Sequence, residues 1–219
     1  MNEIFLSWIE WFPEFISGFM VSLEVTIISL IVGIPGGLLA ALGLSSKSRM
    51  MRGLSALFVE LGRGAPLLIL LQLIYYGLPT MKIMLTSFSA ALVAFAWCTA
   101  AYTSEYIRAG INSVNVGQQE ATHVLGLSRF DSLLIVILPQ ALKVALPSLL
   151  GFGVVMLQST SLCFTIALPE LATKASEAGS MTFKYMSALS LAAVIYIAVC
   201  APASLLVGKL EKMLSKHER

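Results

Sequence analysis

The sequence predicts an all-α integral membrane protein with five transmembrane helices. Of its 219 residues, 58% are hydrophobic and only 12% are charged, against roughly 25% charged in an ordinary soluble domain. Five apolar segments reach the roughly 20 residues that a helix needs to cross a bilayer. The net charge of +2 is small, and the absence of a basic cluster with interleaved aromatic residues argues against nucleic-acid binding.

The first 17 residues precede the first predicted span. They contain "FLSWIEWFPEF", which mixes aromatic residues with two glutamates and lacks the basic start of a cleavable signal peptide. Two interpretations remain open for this segment. It is a short helix in the outer membrane interface, where such aromatic residues are common, or a plain lead-in to the first span.

The predicted transmembrane domain covers residues 18–208. Its spans lie near 18–44, 54–78, 83–107, 144–168 and 186–208. The apolar run 133–138 is not counted as a sixth span, because Pro139 cuts it. Glycines in "GIPGG" (33–37) and "GFG" (151–153) favour close helix packing over a hinge.

The basic residues predict the orientation of these spans. Ten of the fourteen Lys and Arg residues fall in the segments 45–53 and 108–143 and in the tail 209–219, whereas three fall on the other side. Cytoplasmic loops accumulate Lys and Arg. We therefore expect the N-terminus outside, and the tail and a loop of about residues 110–143, here called the polar loop, in the cytoplasm.

The polar loop itself has the pattern of a helix-turn-helix. Residues 120–127 can form a short helix, Gly126 permits a tight turn, and Ser128 can cap a second helix, which Pro139 is expected to end or bend. A polar projection of this kind fits a binding site for a cytoplasmic partner. A solvated connector without a partner is the alternative.

The stretch "EATHVLGLSRFDSLLIVILPQAL" resembles the EAA loop of permease subunits of bacterial ABC importers. Glu120, Ala121, Gly126, Leu138 and Pro139 match the pattern at its spacing. Thr122 stands in place of the second alanine and Val136 in place of isoleucine. The stretches "RGAPLLILLQLIYYGLP", "AAYTSEYIRAGI" and "STSLCFTIALPEL" extend the resemblance to the polar amino acid subfamily and to nearly the whole chain from residue 21.

This resemblance implies a permease subunit in the bacterial cytoplasmic (inner) membrane that works with separate proteins. The partners implied are a second permease of the same or a related kind, two cytoplasmic ATPases and an external substrate-binding protein. The EAA loop is the coupling helix of such permeases, so Glu120, Ala121, Gly126, Leu127 and Pro139 become candidates for ATPase coupling. ATP and magnesium are expected in the ATPase, since this chain has no phosphate-binding GxxxxGK[ST] motif, and no cofactor or metal is expected in the chain itself.

Two charged residues inside the second span are functional candidates, because ionised groups are costly in a membrane. Glu60 and Arg63 are three residues apart and close enough to pair. "GRGAP" (62–66) can break the helix there. The pair could line a transport pathway or neutralise itself at a subunit contact.

Four polar residues of the third and fourth spans are candidates for the pathway. Thr99, Tyr102, Gln158 and Ser161 fall near the middle of their spans by residue count. Their polar groups need partners at that depth, and a zwitterionic substrate in a wet cavity could supply them. Hydrogen bonds between helices are the alternative. Cys98 and Gln158 depart from the subfamily, which leaves the identity of the substrate open.

Two other function classes compete with an ABC permease. A secondary transporter normally shows internal repeats and more spans, and neither is found in the sequence. An integral membrane enzyme would need a catalytic constellation at one depth, but the sequence has no paired carboxylates, histidine cluster or metal-ligand spacing.

Overall fold

The described part of the chain is helical and contains no strand. A computed structural model describes residues 2–215, so residues 216–219 of the predicted tail lie outside it. The α-helices are α1 (Asn2–Leu44), α2 (Arg49–Gly64), α3 (Leu67–Gln72), α4 (Ser87–Ser113), α5 (Val116–Val124), α6 (Arg129–Asp131), α7 (Leu138–Ser159), α8 (Leu171–Thr182) and α9 (Tyr185–Ser215). Wider π turns follow α3 and α6 at Leu73–Gly77 and Ser132–Ile137, and tighter 3₁₀ turns occur at Leu78–Met81 and Thr160–Ile166.

Three helices are long and apolar enough to cross a membrane, and a bent helix pair brings the number to four. The three are Ile4–Leu44, Arg129–Ile166 and Tyr185–Leu214, and the pair is α2 with Leu67–Met81. The prediction of five spans is therefore met in part. The predicted third span overlaps α4, which is less apolar than α1, α7 and α9. Because α4 packs against α1, α2 and α7, most of its surface meets protein instead of lipid.

The first 17 residues do not form a separate helix. From Asn2 onward they are the first turns of α1, which continues through Pro13 and Pro35. Trp8 Nε1 donates a hydrogen bond to the Ser187 carbonyl at 2.9 Å, and Phe15 is buried against α8 and α9. This segment therefore packs along the bundle as part of the first long helix.

Helix α1 lies close against α4 because two of its glycines have no side chain. A Cβ added at Gly33 would lie 2.5 Å from Thr99 Cβ, and one added at Gly37 would meet Thr103 Oγ1. The predicted packing role of "GIPGG" is thus confirmed. The contacts of "GFG" are looser, since a Cβ at Gly151 would meet Val207 only at 3.8 Å.

Pro139 does not end its helix, which corrects one of the two outcomes expected for it. The helical path runs without interruption from Arg129 to Ile166, and Pro139 lies in the first turn of α7. A proline has no N–H to donate, so it is tolerated in a first turn. The π turn Ser132–Ile137 directly before it widens the backbone.

A buried glutamate begins α8. Glu170 is fully buried, and its carboxylate accepts hydrogen bonds from the Ala172 and Thr173 N–H groups at 2.9 and 2.7 Å. The hydroxyl of Tyr196 on α9 donates to the same carboxylate at 3.3 Å. Burial raises the pKa of Glu170, while the hydrogen bonds from α8 oppose that rise. The residue therefore caps α8 and ties it to α9.

Candidate functional site

The second span is broken where the sequence predicts a break. Helix α2 ends at Gly64, and Ala65 adopts an extended conformation with ψ of 135°. The proline ring of Pro66 disfavours a helical Ala65, so α3 starts in a new direction. The two helical pieces are bent by 103°. This break exposes backbone and leaves Arg63 at the end of a helix.

A cavity of about 660 Å³ lies at this break, and we call it the α2–α3 cavity. Three segments form its walls: the break itself, one face of α4 and one face of α7. Its lining residues are Arg63, Gly64, Ala65, Pro66, Leu67, Cys98, Tyr102, Tyr106, Ser148, Gly151, Phe152, Val155, Met156 and Ser159. Its volume lies in the range of small-molecule sites.

Arg63 pairs with a different carboxylate from the one predicted. Its Nη1 lies 3.3 Å from Glu105 Oε1 on α4, whereas Glu60 is exposed. The prediction of a Glu60–Arg63 pair is therefore wrong. The spacing of three residues was right for a pair within a helix, but the guanidinium turns away from α2 toward α4. Glu105 also pairs within its own helix at that spacing, with Arg108 Nη2 2.6 Å from Glu105 Oε2.

Tyr102 lines the α2–α3 cavity. The guanidinium of Arg63 lies over its ring, 5.7 Å from the centroid. The same ring stacks on Phe152 of α7 at 5.3 Å, and Phe152 meets Tyr106 edge to face at 5.9 Å. Aromatic side chains from α4 and α7 thus form a continuous wall beneath Arg63.

Thr99 does not line the cavity, which corrects that prediction. It is fully buried and packs against Gly33 of α1. A residue three positions before Tyr102 lies on a neighbouring part of the helix surface, and here that part faces α1. Helical spacing gives which residues share a face, but it does not say which neighbour the face meets.

Gln158 and Ser161 also lie away from the α2–α3 cavity. Gln158 lines a separate pocket of about 170 Å³ with Tyr196 and Cys200, and Ser161 donates its hydroxyl to the Gln158 carbonyl at 2.8 Å. The face of α7 that does line the cavity includes Ser148, Phe152 and Ser159. These three residues are four and seven positions apart in the sequence, which places them on one face of α7. Tyr102 and Tyr106 are four positions apart and share a face of α4 in the same way. This spacing was the signal from which the cavity-lining faces could have been found.

The polar loop forms the predicted helix-turn-helix. Asn115 begins α5, and its Oδ1 accepts a hydrogen bond from the Gly117 N–H at 2.8 Å. Gly126 ends it with φ of 73°, a left-handed conformation that glycine adopts at little cost. Ser128 caps the second helix and accepts from the Asp131 N–H at 3.1 Å.

The two arms of the polar loop are held together from inside. The Thr122 and Ser132 hydroxyls lie 2.6 Å apart, and both residues are buried. Leu127 N–H donates to the Thr122 carbonyl at 3.0 Å, which completes a Schellman-type end to α5. Thr122 is the residue that departs from the EAA pattern, and its buried contact was not foreseen.

The outer side of the polar loop remains open. Among the predicted coupling residues, Glu120, Ala121, Gly126 and Pro139 are exposed and Leu127 is half-buried. Three large apolar side chains are also exposed at its tip, namely Val124, Leu125 and Phe130. Solvent-exposed apolar groups in this number beside a glutamate are typical of a protein-binding surface.

Known proteins match this chain over nearly its whole length. It is 36% identical over 209 residues to the probable amino-acid ABC transporter permease protein YckA of Bacillus subtilis, covering 95% of this chain and 92% of the relative. It is 35% identical over 208 residues to the L-cystine transport system permease protein TcyB of the same bacterium, covering 94% and 89%. These relatives are transport permease subunits.

A solved structure and a family profile agree with those relatives. The crystal structure of an amino acid ABC transporter with histidines matches with a TM-score of 0.88 at 34% identity, covering 95% of this chain and 98% of that chain. The profile of binding-protein-dependent transport system inner membrane components matches residues 33–216. By both measures, the chain belongs to this family of multi-pass ABC transporter permeases, whose members work with an ATPase and a substrate-binding protein.

Proposed function

We propose that this chain forms the transmembrane part of an importer for a polar amino acid or a related compound in the bacterial cytoplasmic membrane. The α2–α3 cavity is the observation that carries the proposal. It lies at a broken helix, as transporter substrate sites commonly do, and it joins an arginine to aromatic and hydroxyl groups. The relatives named for amino acid transport support that substrate class.

The membrane topology we propose has five spans, with α4 as the third. The N-terminus and the α8 region face outward, while the polar loop and the C-terminal tail face the cytoplasm. The uneven distribution of Lys and Arg supports this orientation. Glu105 and Arg108 lie toward the proposed cytoplasmic end of α4 and pair with each other at 2.6 Å, which offsets the cost of carrying two charged groups on a spanning helix.

The polar loop is the proposed docking site for a cytoplasmic ATPase, which would hold ATP and magnesium. Helix α5 has a fixed start and end, so it can transmit a displacement of the ATPase to α4 and α7. Glu120 is exposed on its outer side, beside the apolar tip. The complete transporter would contain two such ATPases, a second permease of the same or a related kind, and an external binding protein.

The pathway through this subunit passes the α2–α3 cavity in our proposal. Its polar groups include Arg63 of α2, Tyr102 and Tyr106 of α4, and Ser148 and Ser159 of α7. The Arg63–Glu105 contact joins the broken helix to α4. A change in the angle between α2 and α4 would therefore break this ion pair. We accordingly assign the ion pair a role in gating.

Co-purification and transport assays test the proposal together. The tagged chain is purified with its ATPase, placed in lipid vesicles, and supplied with ATP inside and a loaded binding protein outside. We expect amino acid uptake that requires ATP, and a loss of ATPase binding on Glu120→Ala. Uptake driven by an ion gradient without any ATPase would instead show a secondary transporter.

A further inference from the structure

The side chains that line the α2–α3 cavity carry a net positive charge. Among the described residues that line it, Arg63 is ionised and none is Asp or Glu. The remaining polar groups are the hydroxyls of two tyrosines and two serines and the thiol of Cys98. A cation entering this cavity would therefore meet a like charge without a lining carboxylate to offset it, whereas an anionic group would be attracted.

Glu105 lies behind Arg63 and does not neutralise it. Its Oε1 faces Arg63 at 3.3 Å, while its Oε2 accepts from Arg108 Nε and Nη2 at 3.2 and 2.6 Å. One carboxylate is thus shared between two guanidinium groups, and the three side chains carry a net charge of +1. The shorter contacts belong to Arg108. A guanidinium has five N–H donors, so Arg63 keeps donors for a further anion.

Two contacts restrain the position of the Arg63 guanidinium. It is held from one side by Glu105 and lies over the Tyr102 ring at 5.7 Å. That ring is itself stacked on Phe152. A donor group that is already ordered loses little entropy when it binds a carboxylate, and the planar fork of arginine matches both carboxylate oxygens.

We propose that Arg63 binds the carboxylate of the transported molecule and that the α2–α3 cavity selects against cationic side chains. The inference rests on the proposed amino acid transport and narrows it to neutral or acidic amino acids. The α7 wall fits an uncharged side chain, since Phe152, Val155 and Met156 line the cavity there.

Direct binding to the permease–ATPase complex, without the binding protein, tests this selectivity. Equilibrium dialysis is run with labelled L-glutamine, L-glutamate, L-lysine and L-arginine, and with L-glutamine methyl ester, which lacks a free carboxylate. We expect the wild type to bind glutamine at least tenfold more tightly than its ester, and more tightly than lysine or arginine. Arg63→Gln should weaken glutamine binding roughly 10- to 100-fold, the range for hydrogen bonds to charged groups, and should no longer distinguish acid from ester.

Two further variants separate recognition from folding. Arg63→Lys keeps the charge and should recover part of the preference for the acid over the ester. Arg52→Gln makes the same change on an exposed arginine of α2 away from the cavity, and should bind as the wild type does. All complexes are first shown to assemble and to hydrolyse ATP.

The outcomes distinguish the inference about Arg63 and the cavity from the proposed substrate class. Tight binding of lysine or arginine would overturn the selection against cationic side chains. An Arg63→Gln complex that still prefers the acid to its ester would overturn the role of Arg63. Either result leaves amino acid transport intact. No binding of any of these amino acids to the wild type would overturn the proposed substrate class and the inference with it.

Discussion

At the scale of single residues, Thr122 shows how a departure from a family pattern can be compensated locally. Burying a hydroxyl without a hydrogen-bond partner lowers the stability of a protein, because the group loses its contacts with water. Ser132 lies 2.6 Å away across the turn. The two hydroxyls are hydrogen-bonded to each other, and this contact joins the arms of the polar loop.

This contact predicts the outcome of a double-mutant cycle. Replacing either Thr122 or Ser132 by alanine should destabilise the complex by about 1–2 kcal/mol, since each change removes one hydrogen-bond partner of a buried hydroxyl. The double alanine variant should be less destabilised than the sum of the two. Thermal unfolding in detergent measures all four proteins. Strictly additive effects would show that the two hydroxyls do not interact.

At the scale of helices, the contact between α1 and α4 is governed by glycines. Gly33 and Gly37 are four residues apart, so they lie on one face of α1. Their missing side chains let Thr99 and Thr103 approach the α1 backbone. Close approach of this kind is a main source of helix association in membranes, where the hydrophobic effect contributes little between helices.

Gly33→Ala should therefore be strongly destabilising. The new Cβ would lie 2.5 Å from Thr99 Cβ and 2.9 Å from the Ala96 carbonyl oxygen, so the two helices must separate. We expect a sharp fall in the yield of folded protein, measured by size-exclusion chromatography in detergent. Thr99→Ala should not rescue it, because the clashing Cβ atom remains.

The matched control for this variant is Gly53→Ala on α2. Within the described part of the chain, no atom beyond the local backbone of α2 lies within 4 Å of a Cβ added at Gly53, and alanine favours a helix by about 1 kcal/mol over glycine. This variant should fold as well as the wild type or better. Equal losses in both variants would show that the cost arises from helix propensity or insertion instead of α1–α4 packing.

The turn after α5 makes a second prediction at this scale. Gly126 has φ of 73°, which a β-branched residue adopts only under strain. Gly126→Val should displace α5 and lower the stimulation of ATP hydrolysis by loaded binding protein, while the chain still inserts into the membrane. Gly126→Asn should retain most of that stimulation, because asparagine tolerates the left-handed region. A fully coupled Gly126→Val complex would contradict the role of this turn.

At the scale of the whole molecule, the proposed topology can be tested by labelling. Cys98, Cys163 and Cys200 are buried and are replaced by alanine to give a cysteine-free background. Single cysteines are then introduced at Ser46, between α1 and α2, and at Met181, which is 80% exposed near the end of α8. A membrane-impermeant reagent added outside should label position 181 and not position 46. Labelling of both from outside would refute the topology.

The sequence by itself determined the membrane class, the broken second span and the helix-turn-helix of the polar loop. These features depend on local properties: apolar segments of sufficient length, the restriction that Pro66 places on Ala65, and the freedom of Gly126 at positive φ. Each acts within a few residues of chain. Each of these properties therefore has the same effect regardless of how the rest of the chain packs.

Only the tertiary structure decided which side chains meet across helices. The partner of Arg63 proved to be Glu105 on α4 instead of Glu60, one turn back on its own helix. Thr99 proved to face α1, and Gln158 a separate pocket. Helical periodicity groups residues into faces, but the rotation of each helix about its axis is set by packing against its neighbours. The close packing of Thr99 against Gly33 sets the rotation of α4. That rotation decides which residues of α4 line the cavity.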